Sequence, residues 1–227
     1  MDLTASIDAY CERLGPEFWA EPVNAVTNLA FVIAALIGVR EARRRGVFSG
    51  WVVVLCILAF CIGLGSFLFH TFAQRWASIA DVVPILLFIL AYLFAAAHYL
   101  FGLRWLIAIP AAIIAFGLAL IAREGMLLIA TKEQLNGSEG YAPALALLLG
   151  SAVILTMMRH PAGRWIAAAS GVFVLSMIAR STDIAVCEAF PLGTHFLWHC
   201  LNGLMIGLLL LGMIRHGSLA RSHQTAV

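Results

Sequence analysis

Apolar residues in this chain come in long unbroken runs rather than in the short alternations of a soluble fold. A bilayer-crossing helix needs about 20 such residues. Runs of that kind lie at roughly 23–40, 51–70, 81–101, 104–122, 142–158, 165–186 and 194–214. Pro110 falls inside the fourth run and is expected to kink it. Connections are short except for 123–141, "REGMLLIATKEQLNGSEGY", where a short surface helix is expected. The pattern predicts an all-α integral membrane protein, a seven-transmembrane helix bundle. Residues 1–22 form an N-terminal segment, 23–214 the membrane domain and 215–227 a tail.

Composition agrees. The chain is 63% hydrophobic and 11% charged, against about 25% charged in soluble domains. A net charge of +2, scattered along the chain, gives no footprint for nucleic acid. The 19 glycines suit close packing of membrane helices. The first residues, "MDLTASIDAYCER", lack the basic and apolar regions of a cleavable signal, so the first apolar run is expected to remain as an anchor. Lysine and arginine set the orientation. The side receiving the N-terminus holds Arg13, Arg75, Arg123 and Lys132. The other holds Arg40, Arg43, Arg44, Arg45, Arg104, Arg159, Arg164, Arg215 and Arg221. This predicts an N-terminus outside and a cytoplasmic C-terminus. Ala-rich spans and arginine clusters further suggest a bacterial inner membrane with its periplasmic side outward.

Polar residues within the spans then become informative, because ionisable groups in a membrane are costly. Ser66 and His70 end the second run and Asp81 opens the third, on the outer side. Asp183, His195 and His199 reach the same depth from the sixth and seventh. His98, His160, His216 and His223 fall at the opposite ends and read as interfacial residues without a ligand role. Residues four apart share a helix face, so "HFLWH" pairs His195 with His199 and "SFLFH" pairs Ser66 with His70. Two histidines from one helix and a third from another make the three-ligand, open-position pattern of catalytic zinc. Asp81 would move the proton of a water, and Ser66 would hydrogen-bond a developing oxyanion. The HxxxH pair alone is a weak signal. Asp183, three residues after Arg180, is equally readable as its ion-pair partner.

Four blocks of sequence resemble the alkaline ceramidases, seven-helix hydrolases related to the adiponectin and progestin receptors. They are "YCE" (10–12) with "EPVNAVTN" (21–28), "GLGSFLFHTF" followed by Asp81, "DIAVCE" (183–188), and "HFLWH" with Leu197 where the family has Trp. The resemblance implies Zn2+ on His70, His195 and His199, with Ser66 beside it and Asp81 activating water. It implies hydrolysis of the amide of a ceramide-like N-acyl lipid to fatty acid and sphingoid base, with acyl chains in an apolar cavity between helices. An ester-lipid hydrolase of the same fold, acting on a phospholipid or GPI lipid, remains open, as does a lipid receptor with structural zinc. The resemblance also implies a Cys11–Cys187 disulfide and a Ca2+ site near the N-terminus. For calcium, Glu12 and Glu21 match and Asp8 is displaced by one, while Ala9 and Leu14 stand where the family has Asp and Asn.

Overall fold

The computed structural model describes residues 2–217. Arg221, His223 and the rest of the tail past residue 217 lie outside the described residues.

Among the described residues, seven helices are long and apolar enough to cross a membrane. They are α1 (Pro22–Arg44), α2 (Gly50–Phe72), α3 (Arg75–Tyr99), α4 (Trp105–Leu127), α5 (Ser138–Met157), α6 (Gly163–Thr182) and α7 (His195–His216). Each packs on the next, and α7 returns to α1, closing a ring. Large apolar side chains such as Leu36, Ile113 and Leu106 face outward, as lipid contact requires and water would not favour. The core is filled by small and branched residues, with Ala42, Ala59, Ala95 and Ile166 among the most buried. Where Gly203 of α7 meets α1, a Cβ would lie 2.5 Å from that of Ala30, so only glycine permits the approach.

Several boundaries differ from the hydropathy reading. Helix α3 begins at Arg75 rather than near 81, which places Asp81 in its second turn. The α2–α3 connection is only Ala73–Gln74, with Ala73 in the left-handed region at φ 47°. The first polar turn of α3 is folded because the N-terminal segment satisfies its backbone. The N–H groups of Arg75 and Trp76 donate to the Ala5 and Leu3 carbonyls at 3.1 and 3.0 Å. Helix α6 ends at Thr182, leaving Asp183 as its cap outside the span. The helix carries on past Pro110, and the break in α4 falls at Leu120. In the long connection a short helix, Lys132–Leu135, does form, with a Thr131–Gln134 capping box.

Candidate metal centre and active-site cavity

His70, in the last turn of α2, and His195 and His199, in the first two turns of α7, converge at the end of the bundle that carries the N-terminal segment. One ring nitrogen of each lies within 4.8 Å of the others, and all three residues are buried. Ring centroids are 4.6 Å apart for His70–His199 and His195–His199, and 5.2 Å for His70–His195.

Each ring is held from behind. His70 Nδ1 lies 2.6 Å from Glu21 Oε2. A carboxylate can only accept there, so the proton sits on Nδ1 and the lone pair of Nε2 is free. His199 Nδ1 lies 3.0 Å from the Thr27 hydroxyl, leaving a buried Nε2 with no partner. His195 Nδ1 is likewise buried and unpartnered. The His195 ring stacks on Tyr10 with centroids 3.6 Å apart. Orphaned nitrogens in a dry site are expensive, and outer partners that orient the rings are the usual support of metal-binding histidines. On this donor chemistry the residues fit a metal ion.

The N-terminus of α7 is fixed by Asp183, which is fully buried. Its Oδ1 accepts the backbone N–H groups of Thr194 (2.7 Å) and His195 (2.9 Å), and Oδ2 that of Cys11 (3.1 Å). A carboxylate at a helix N-terminus also meets the favourable end of the helix dipole. The Arg180–Asp183 pairing therefore does not form. Arg180 instead donates to the Tyr10 hydroxyl at 3.1 Å and lies over the Tyr10, Tyr141 and Trp198 rings. Next to Asp183, Gly193 (φ 61°) has no room for a side chain: a Cβ would sit 2.1 Å from Asp183 Oδ1. The Cys11–Cys187 disulfide is present, with Cα atoms 5.5 Å apart. It anchors the N-terminal segment over the cluster.

Ser66 and Asp81 stand side by side, on α2 and α3. Gly65 makes this possible, since a Cβ there would lie 2.0 Å from the Ala80 carbonyl oxygen. Asp81 is half-buried, with Oδ1 shielded from water and unpartnered. Both residues, with His199, line one end of an apolar cavity of about 920 Å3, open mouth included. The cavity continues past Phe88, Tyr92 and Ala96 on α3 and Met205, Ile206 and Leu209 on α7.

The acids expected for calcium have other roles. Glu12 accepts the Val23 and Asn24 backbone N–H groups at 2.8 Å each and so caps α1. Glu21 is ion-paired with buried Arg13 and bound to His70 and Asn24. Burial alone would raise the pKa of Glu21, but these hydrogen bonds and charges outweigh it and hold the group below its ordinary value. Asp8 is exposed. Among the described residues, only the three histidines form a metal-ligand group of three or more His, Cys, Asp or Glu side chains. The donor set at Glu12 and Glu21 does not fit calcium, which takes 6–8 oxygens.

Sequence reading did not find the supporting roles of Tyr10, Arg13, Thr27 and Arg180. A signal existed for one part: in "EPVNAVTN" Glu21, Asn24 and Asn28 are spaced three and four apart, on one helix face, and Asn24 and Asn28 are almost fully buried.

No curated protein matches the chain. The sequence model of the ceramidase family, however, matches residues 3–226. That is nearly the whole chain, and it includes every element that builds the histidine cluster and its cavity, so this protein belongs to the ceramidase family, which implies a membrane-embedded hydrolase acting on the amide bond of a lipid.

Proposed function

We propose that the protein is a zinc-dependent intramembrane amidase that cleaves ceramide-like N-acyl lipids to fatty acid and sphingoid base. The observation that carries this reading is a cluster of three buried histidines, one of which, His199, lines the same end of an apolar cavity as Ser66 and Asp81, whose Oδ1 is unpartnered. His70, His195 and His199 would hold zinc, which would supply Lewis acidity and lower the pKa of a water to about 7. Glu21 and Thr27 orient two of the rings through their Nδ1 atoms. Asp81 Oδ1 takes a proton from the attacking water and delivers it to the leaving amine nitrogen. The Ser66 hydroxyl donates to the carbonyl oxygen as charge develops on it. One water is consumed, the C–N bond breaks, and an acid and an amine leave. The apolar walls receive the acyl chain and exclude bulk water. Following the arginine asymmetry, we place the cluster on the periplasmic side of an inner membrane.

The test joins metal analysis of detergent-purified protein to a fatty-acid release screen over amide and ester lipids. Zinc near one per chain in the wild type, lost in His195→Ala and His199→Ala variants that still fold, is expected, with release from amides. Release from esters alone would replace this reading with an ester-lipid hydrolase. Lipid binding with no release from either class would favour a receptor. Asp81→Asn is expected to keep zinc and lose most turnover; full activity in that variant removes Asp81 as the base.

A further inference from the structure

The least expected residue beneath the cluster is Arg13. It is 6% exposed, lies in the segment preceding α1, and spends its guanidinium on three oxygens. Nε donates to Glu21 Oε1, one terminal nitrogen to the Gly15 carbonyl at 2.9 Å, and the other to the His70 carbonyl at 3.0 Å. One carboxylate and two backbone carbonyls are the hard-oxygen set that a divalent cation would otherwise collect. Here a rigid, permanently charged fork occupies their centre. The other Glu21 oxygen takes His70 Nδ1, so the fork and the ring share one carboxylate. Arg13 also holds the His70 backbone directly, gripping that residue from two directions.

We propose that Arg13 is a built-in cation: it ties the N-terminal segment to the metal centre in place of calcium, and it is a positioning residue for His70. Without it, Glu21 Oε1 would lose its ionic partner, and the carboxylate would be held only through Oε2, by His70 and the Asn24 amide, with its angle to the ring no longer fixed from both sides. An unoriented imidazole binds metal less well, and loss of such outer partners costs about 10–100-fold in affinity. Only the zinc-affinity part of this inference rests on reading His70 as a zinc ligand. Independence from calcium does not.

The experiment uses the full chain in detergent after chelation of calcium. The unfolding midpoint and the zinc affinity, the latter by competition with a chromophoric chelator, are measured with and without about 1 mM calcium, the upper range of weak extracellular sites. For the wild type neither quantity should move. A saturable rise of either with calcium overturns the proposal. Arg13→Gln should lower zinc affinity by about tenfold or more, and Arg13→Lys by less, because an ammonium keeps the charge but not the three-way fork. A role confined to stability would lower the midpoint while leaving zinc affinity as in the wild type, and that result in Arg13→Gln overturns the positioning claim. Should Arg13→Gln not fold, Arg13→Lys decides: a loss of several-fold supports the claim and wild-type affinity overturns it. If the wild type takes up no zinc, the amidase reading fails, while the response of the unfolding midpoint to calcium still decides whether Arg13 has taken that ion's place.

Discussion

Asp183 shows how much one side chain holds at this site. Two of its three backbone partners are at the start of α7, beside His195, and the third is Cys11. Asp183→Ala would strand three N–H groups, two of them in buried residues, and is expected to destabilise the fold by about 3–5 kcal/mol. Asp183→Asn should cost roughly half as much: an amide oxygen at the Oδ1 position still accepts from Thr194 and His195, but the NH2 group then faces the Cys11 N–H and repels it. Thermal unfolding of both variants in the same detergent tests the order; equal stability of Ala and Asn would refute this division of labour. The sequence exposed part of this site and hid the rest for a physical reason. Histidines and carboxylates inside apolar runs stand out because a membrane makes them costly, so His70, His195 and His199, which do meet in one buried group, could be picked out from the sequence. Tyr10 and Arg13 lie in a polar segment where such residues are ordinary, and only the folded path of residues 3–21 brings them under the rings; Thr27, inside the first apolar run, carries no charge to make it stand out. The Arg180–Asp183 pair was plausible by spacing. It fails because backbone N–H groups at the α7 start offer Asp183 a better site.

Among the elements, the contact of α2 with α3 decides whether Ser66 and Asp81 meet. Hydropathy located both helices, yet it started α3 late, since "QRW" is polar and only the overlying N-terminal strand-like segment completes its first turn. The closeness of the two helices was equally invisible, because a glycine in a greasy run looks the same whether it faces lipid or a neighbour. In Gly65→Ala the added Cβ, 2.0 Å from the Ala80 oxygen, must open the interface by about 1 Å before reaching even a tight contact. Displacements of that size at reacting groups cost about 10²-fold in rate. Turnover of Gly65→Ala is therefore expected to fall by roughly that factor while zinc content stays near that of the wild type. Gly117, with open space around it, is the control, and its alanine variant should be as active as the parent. If the two behave alike, the α2–α3 approach is not what sets the rate.

At the scale of the whole molecule, the ring of helices encloses a cavity that runs away from the histidines into the bundle. Its α3 wall extends from Asp81 to Ala96, a rise of about 22 Å, most of the ~30 Å thickness of a bilayer's hydrocarbon. Its walls are almost wholly apolar, which on the proposed function suits it to an acyl chain whose carbonyl would lie beside Ser66 and Asp81. Ala96 lines the end remote from Ser66 and Asp81 and is almost fully buried. A Phe there would fill that end and shorten the space available to substrate. Overpacking carries its own cost of about 1–3 kcal/mol, so absolute activity is a poor measure. The ratio of kcat/KM for long-chain over short-chain amides, taken within one preparation, cancels that loss. Each methylene denied burial forfeits about 0.8 kcal/mol, and excluding four of them would shift the ratio toward the short substrate by roughly 10²-fold. Substitution of outward-facing Leu106 by Phe should leave the ratio unmoved. A long-to-short ratio in Ala96→Phe equal to that of the parent would mean that the acyl chain lies elsewhere, and the cavity's length would then have no bearing on which lipids are cleaved.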